Sequence, residues 1–137
     1  NVIYYNMISV KARIISSATL VLLDAIWIYF MKNNYTDLIK TVQKSEPQFN
    51  FTYIVITYIF ILIGLNYYVL PSITMNNITM SECLSVGFIF GAVLYGTYNF
   101  TAASIFKEWN INIAIIDVLW GGFLYFISCY ILKFIKF

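Results

Sequence analysis

The chain has 137 residues, of which 61% are hydrophobic, 20% aromatic and only 10% charged, with a net charge of +2 and no His. A soluble domain carries roughly 25% charged residues. A mean hydropathy of +0.80 therefore excludes an ordinary soluble enzyme, a disordered tail and a nucleic-acid-binding domain, and the absence of His excludes a His-based triad or zinc site.

What remains is an integral membrane protein. A helix needs about 20 apolar residues to cross a bilayer, and four such stretches use nearly all of 1–137, which reads as a single all-α transmembrane domain. The chain opens on Asn1, not Met. Initiator Met is not normally trimmed before so large a residue, so the start reads as missing. No cleavable signal peptide is evident.

Span one is predicted at 14–31, between Lys11 and Arg13 on one side and Lys32 on the other. In the loop that follows, Tyr35, Leu38, Ile39 and Val42 fall at i, i+3, i+4, i+7, with Asp37, Lys40, Thr41 and Lys44 opposite. That spacing predicts a short amphipathic helix on the membrane surface, either a skirt sealing the bundle or a lid over a site. Span two is predicted at 51–70, ending at Pro71, which cannot continue a helix. Span three, 83–106, is interrupted by Lys107 and Glu108. Span four, 111–132, is followed by Lys133 and Lys136. The apolar runs are too long for strands and do not alternate.

Four crossings put both termini on one face, here called the terminal face, opposite the loop face. Lys11, Arg13, Lys133 and Lys136 stand against Lys32, Lys40, Lys44 and Lys107, so basic residues split evenly and the positive-inside rule gives no orientation. Abundant Ile, Asn, Tyr, Phe and Lys suggest an AT-rich genome, such as that of a large DNA virus, a protist or an organelle. The membrane itself stays open: a virus internal membrane, an organelle membrane or a cell membrane.

Two segments echo one another. Leu22-Leu23-Asp24-Ala25-Ile26-Trp27-Ile28-Tyr29-Phe30 and Ile115-Ile116-Asp117-Val118-Leu119-Trp120-Gly121-Gly122-Phe123 each hold Asp, then Trp three residues on, then Phe three further. The i, i+3 spacing puts Asp and Trp on one helical face. Spans one and four run in opposite directions, the pattern of an inverted repeat around a central site. Asp24, Asp117, Asn99 and Thr57 each lie about 9–10 Å from the loop-face end of their span at 1.5 Å per residue, which predicts one polar layer with Tyr95 a turn below Asn99. A carboxylate in the bilayer costs about 2.5–3.5 kcal/mol on the insertion scale, and no Lys or Arg lies within a span to offset it. The two Asp either carry a proton, share one, bind a cation, or serve only as buried hydrogen-bonding groups that fix helix register.

Packing signals lie nearby. Trp27 and Trp120 are read mainly as packing residues whose indole N–H groups are able to donate, and Trp109 as an interface anchor. Gly87 with Gly91, and Ala92 with Gly96, form small-xxx-small pairs that permit close helix approach within the bundle or between copies. Cys83 and Cys129 read as small apolar packing residues, not as a disulfide. The sequons at Asn34, Asn50, Asn77 and Asn99 are expected by chance in so Asn-rich a chain, and no glycosylation is predicted.

In order along the chain, Leu23-Asp24-Ala25-Ile26-Trp27, Leu70-Pro71, Tyr95-Gly96-Thr97-Tyr98-Asn99-Phe100-Thr101, the Lys107–Trp109 turn and Ile116-Asp117-Val118-Leu119-Trp120-Gly121 resemble a family of small, uncharacterised predicted membrane proteins of DUF2177 type, found in bacteria and some large viruses. The resemblance implies four membrane helices and no established activity. That family usually has Asp where this chain has Asn99, so a proton relay built on that acid is shortened here.

The leading functional expectation is a small transporter or channel-like protein that binds a cation, proton or small polar solute at Asp24 and Asp117, oriented by Asn99, Tyr95 and Thr57. The alternative is a structural membrane component of a large assembly. An intramembrane lipid-modifying enzyme is the least supported class, because no nucleophile or metal-ligand set accompanies the carboxylates. No catalytic residue, metal or cofactor is called. Lipid is the expected partner, nucleic acid is not, and a homo-oligomer or larger membrane assembly is left open.

Overall fold

The computed structural model describes residues 8–135; Asn1 and Lys136 lie outside them. Four helices are long and apolar enough to cross a membrane: α1 Val10–Gln43, α2 Phe51–Ser72, α3 Met80–Ile105 and α4 Ile111–Phe134. No strand occurs among the described residues.

Short polar caps start the helices. Ser9 accepts from the Ala12 amide, Asn50 from Thr52 and Tyr53, and Asn110 from Asn112 and Ile113. Thr79 and Glu82 form a reciprocal capping box at the head of α3. Each side chain satisfies amides that the first turn leaves without an intrahelical partner.

The first helix differs from the expectation. Nothing breaks at Lys32: α1 runs on for 34 residues, about 51 Å at 1.5 Å per residue, and stops only where Lys44 turns to φ 58°. The amphipathic segment is helical, but it is the end of α1 and not a separate surface helix. Its apolar stripe packs on protein: Leu38 is buried with Ala102, Trp109 and Ala114, and Val42 packs against them. Lys32-Asn33-Asn34 lower the hydropathy, yet no Gly or Pro lies anywhere in 10–43 to end the helix.

α2 and α3 each contain a widened π turn, at Leu65–Val69 and Cys83–Phe88, a feature often tied to local rearrangement of a helix. In α2 the Asn66 carbonyl accepts from the Arg13 guanidinium at 2.6 Å, and the Asn66 amide donates to Ser17 Oγ at 2.9 Å. Both ties join α2 to the start of α1.

Packing concentrates in two places. Near the terminal face, Leu20, Leu65, Val69, Leu70, Cys83, Leu124, Tyr125 and Cys129 form a closed core. There the Tyr125 hydroxyl donates to Ile61 O at 2.8 Å and Ser16 donates to Ser128 O at 2.5 Å. Near the loop face, Leu38, Ala102, Trp109 and Ala114 form a smaller cluster. α3 and α4 approach most closely at Gly91, where an added Cβ would overlap the Gly121 carbonyl. Gly87 faces the Tyr125 backbone and Gly96 faces Val118. The glycines of the small-residue stripe on α3 are thus used inside the chain, against α4. The first half of α2 is different: Phe51, Tyr53, Ile56, Ile59 and Phe60 are exposed. α2 joins the bundle through its second half and leaves a space beside α1, α3 and α4.

Candidate functional site

That space is a cavity of about 650 Å³ whose walls include Asp24, Asp117, Asn99, Tyr95 and Thr57. Toward the loop face its walls include Trp109, just before α4, and Ile54 and Ile113 in the first turns of α2 and α4. Its deepest wall residue on α2, Ile61, is about 15 Å from the helix start at 1.5 Å per residue. The cavity therefore reaches from the loop face toward the closed core.

Asp24 is 6% exposed. Its carboxylate accepts from the Tyr58 hydroxyl at 2.7 Å, from Trp120 Nε1 at 3.1 Å and, at 3.4 Å, from the Tyr95 hydroxyl. Three helices therefore converge on one carboxylate of the fourth. Asp117 is half-buried. It accepts from the Tyr35 hydroxyl at 2.6 Å and from Asn99 Nδ2 at 2.7 Å. Asn99 is 2% exposed and also donates to Tyr95 O at 3.1 Å, which fixes its amide.

The expected single layer is resolved into two tiers. Asp117, Asn99 and Tyr35 form the tier nearer the loop face. Asp24 meets Trp120 and Tyr95, which lie three and four residues deeper than Asp117 and Asn99, or about 5–6 Å along their helices. The equal-depth estimate took span one to end near Met31. The helix in fact continues, and its position against α4 is set by packing beyond that point.

The two tryptophans join the tiers. Trp27 and Trp120 stack with ring centroids 4.5 Å apart and planes 7° from parallel. Trp120, one turn from Asp117, donates to Asp24. Trp27, one turn from Asp24, donates at 2.8 Å to the Tyr35 hydroxyl, which donates to Asp117. Each Trp therefore serves the carboxylate of the other segment, one directly and one through a hydroxyl. Both pack, as their sequence suggested, and both also donate.

Thr57 sits on the cavity wall but turns its hydroxyl to Tyr53 O of its own helix, at 2.9 Å. The neighbouring Tyr58 supplies the contact to Asp24. Tyr35 and Tyr58 were not among the expected site residues. The available hints were that Tyr35 opens the apolar stripe of 35, 38, 39 and 42, and that Tyr58 adjoins the chosen Thr.

The hydrogen bonds to the two carboxylates come from the neutral donors Tyr35, Asn99, Tyr58, Trp120 and Tyr95, and among the described residues no Lys or Arg lines the cavity. Such donors orient a carboxylate, but they bring no compensating charge. Among the described residues no group of three or more metal-ligating side chains occurs. The chemistry available is recognition of a cation, a proton or a donor-rich solute.

A family model described as predicted membrane protein (DUF2177) matches residues 9–132. No curated protein and no solved structure matches the chain.

Proposed function

The chain belongs to the DUF2177 family of predicted membrane proteins, and from that premise we propose that it is a small multi-pass transporter or channel-like protein binding a cation, proton or small polar solute at Asp24 and Asp117. The observation that carries this reading is that both carboxylates line one cavity reaching toward the loop face, without a basic side chain on its walls among the described residues. Intramembrane acids that face a cavity mark ion or substrate paths far more often than they mark packing. The crossed service of the two Asp–Trp segments supports a further element of the reading, that they are halves of an inverted repeat placed around the site.

Proteoliposomes provide the test. Parent, Asp24→Asn, Asp117→Asn and the double variant are compared for binding and flux of protons, sodium, potassium and tetraethylammonium. Binding of at least one of these, weakened about tenfold or more in the Asn variants, is expected. A double variant that behaves as the parent, or a parent no different from protein-free vesicles, overturns the reading. That second result is what a purely structural component of a membrane assembly would give.

A further inference from the structure

The size and walls of the cavity narrow the class of its occupant, on the premise of the binding function proposed above. About 650 Å³ lies within the range of about 300–1,000 Å³ typical of small-molecule sites, and far above the roughly 30 Å³ share of a water. A calcium or magnesium ion would be poorly held in it. Calcium takes about six to eight oxygen ligands and magnesium a near-octahedral set, whereas the two carboxylates here already accept from five side chains of the protein.

The walls offer something else. Seven lining residues are aromatic and seven aliphatic, against four that are polar. Ring faces attract a cation through their quadrupole, more strongly when water is excluded, which is how aromatic cages hold ammonium groups. Tyr95, Tyr98 and Tyr58 line the same space as the two carboxylates. Aliphatic walls suit alkyl substituents, which an inorganic ion lacks.

We propose that the cavity binds an organic ammonium ion with apolar substituents, its charge against Asp117 and Asp24 among the aromatic rings. A choline-type group has this chemistry, whether free or as the headgroup of a lipid.

The full chain in phosphatidylglycerol nanodiscs is titrated with tetraethylammonium, with the choline ester acetylcholine and with sodium at matched ionic strength. Intrinsic tryptophan fluorescence and calorimetry read binding, with empty nanodiscs as the baseline. Both ammonium ions should bind saturably, and at least about tenfold more tightly than sodium. Asp117→Asn should weaken both about tenfold or more. Saturable binding of sodium with neither ammonium ion overturns the proposal and leaves the broader cation-binding function standing. Silence toward all three overturns the proposal and removes cation binding from the proposed function. Repeating the titration in phosphatidylcholine discs separates the sources. A lower apparent affinity for tetraethylammonium identifies a lipid headgroup as the competing native ligand, and an unchanged affinity identifies a free ammonium ion.

Discussion

At the scale of single residues, the two positions 57 and 58 separate geometry from pattern. Thr57 and Tyr58 adjoin in sequence, but only Tyr58 donates to Asp24, while Thr57 bonds to its own helix. Tyr58→Phe should destabilise the protein by about 1–3 kcal/mol, the cost of leaving a buried acceptor short of a partner. Thr57→Val should be close to neutral. Thermal melting in detergent checks both, and equal effects would contradict the assignment. Gly91 and Gly96 give a second contrast. A Cβ at Gly91 meets the Gly121 backbone, which has nowhere to move, whereas at Gly96 it meets Val118 at an ordinary 3.6 Å. Gly91→Ala should therefore lower stability by about 1–3 kcal/mol through overpacking, and Gly96→Ala by much less. The two carboxylates were legible in the sequence because charge is scarce inside spans. The tyrosines were not. With 12 Tyr and 12 Phe in the chain, a hydroxyl has no contrast with its background, and its use depends on which helix faces it.

At the scale of elements, the end of α1 is the boundary that hydropathy misplaces most. Span starts at Phe51 and Ile111 follow from Asn50 and Asn110, whose short side chains cap the first turn. The end of α1 was read from hydropathy, which registers where lipid stops and not where helix stops. The better signal was the lack of Gly and Pro as far as Pro47. The difference matters to the site, since Tyr35 reaches Asp117 only because α1 continues past Lys32. Asn33→Pro tests the continuity. In a loop it would be tolerated. Inside a helix it removes a hydrogen bond and clashes with the preceding turn, at about 3 kcal/mol or more. A large fall in melting temperature is expected, together with a changed environment for Trp27, whose partner is Tyr35. An unchanged melt would mean that the helix breaks near Lys32.

At the scale of the whole molecule, the closed core near the terminal face and the thin cluster near the loop face leave the carboxylates in a space reached from one side. Two acids without a basic residue on the same walls should give that space a negative potential, which low-dielectric surroundings intensify. The potential is measurable through a cysteine placed in it. Thr57→Cys puts a thiol on the cavity wall, at a position whose hydroxyl makes no contact beyond its own helix. The native Cys83 and Cys129 are buried in the opposite core and should stay unmodified in the folded protein. Relative to the same two reagents on a free thiol in solution, position 57 should favour a cationic methanethiosulfonate over its anionic counterpart by about tenfold, a difference of about 1.4 kcal/mol in local electrostatic free energy. Adding Asp117→Asn should shrink this relative ratio by removing one of the two charges. A ratio equal to that of the free thiol would mean that the acids are neutral in the cavity. Orientation of the network by Tyr35, Asn99, Tyr58 and Trp120 would then be their structural role, and cation binding would have no electrostatic basis.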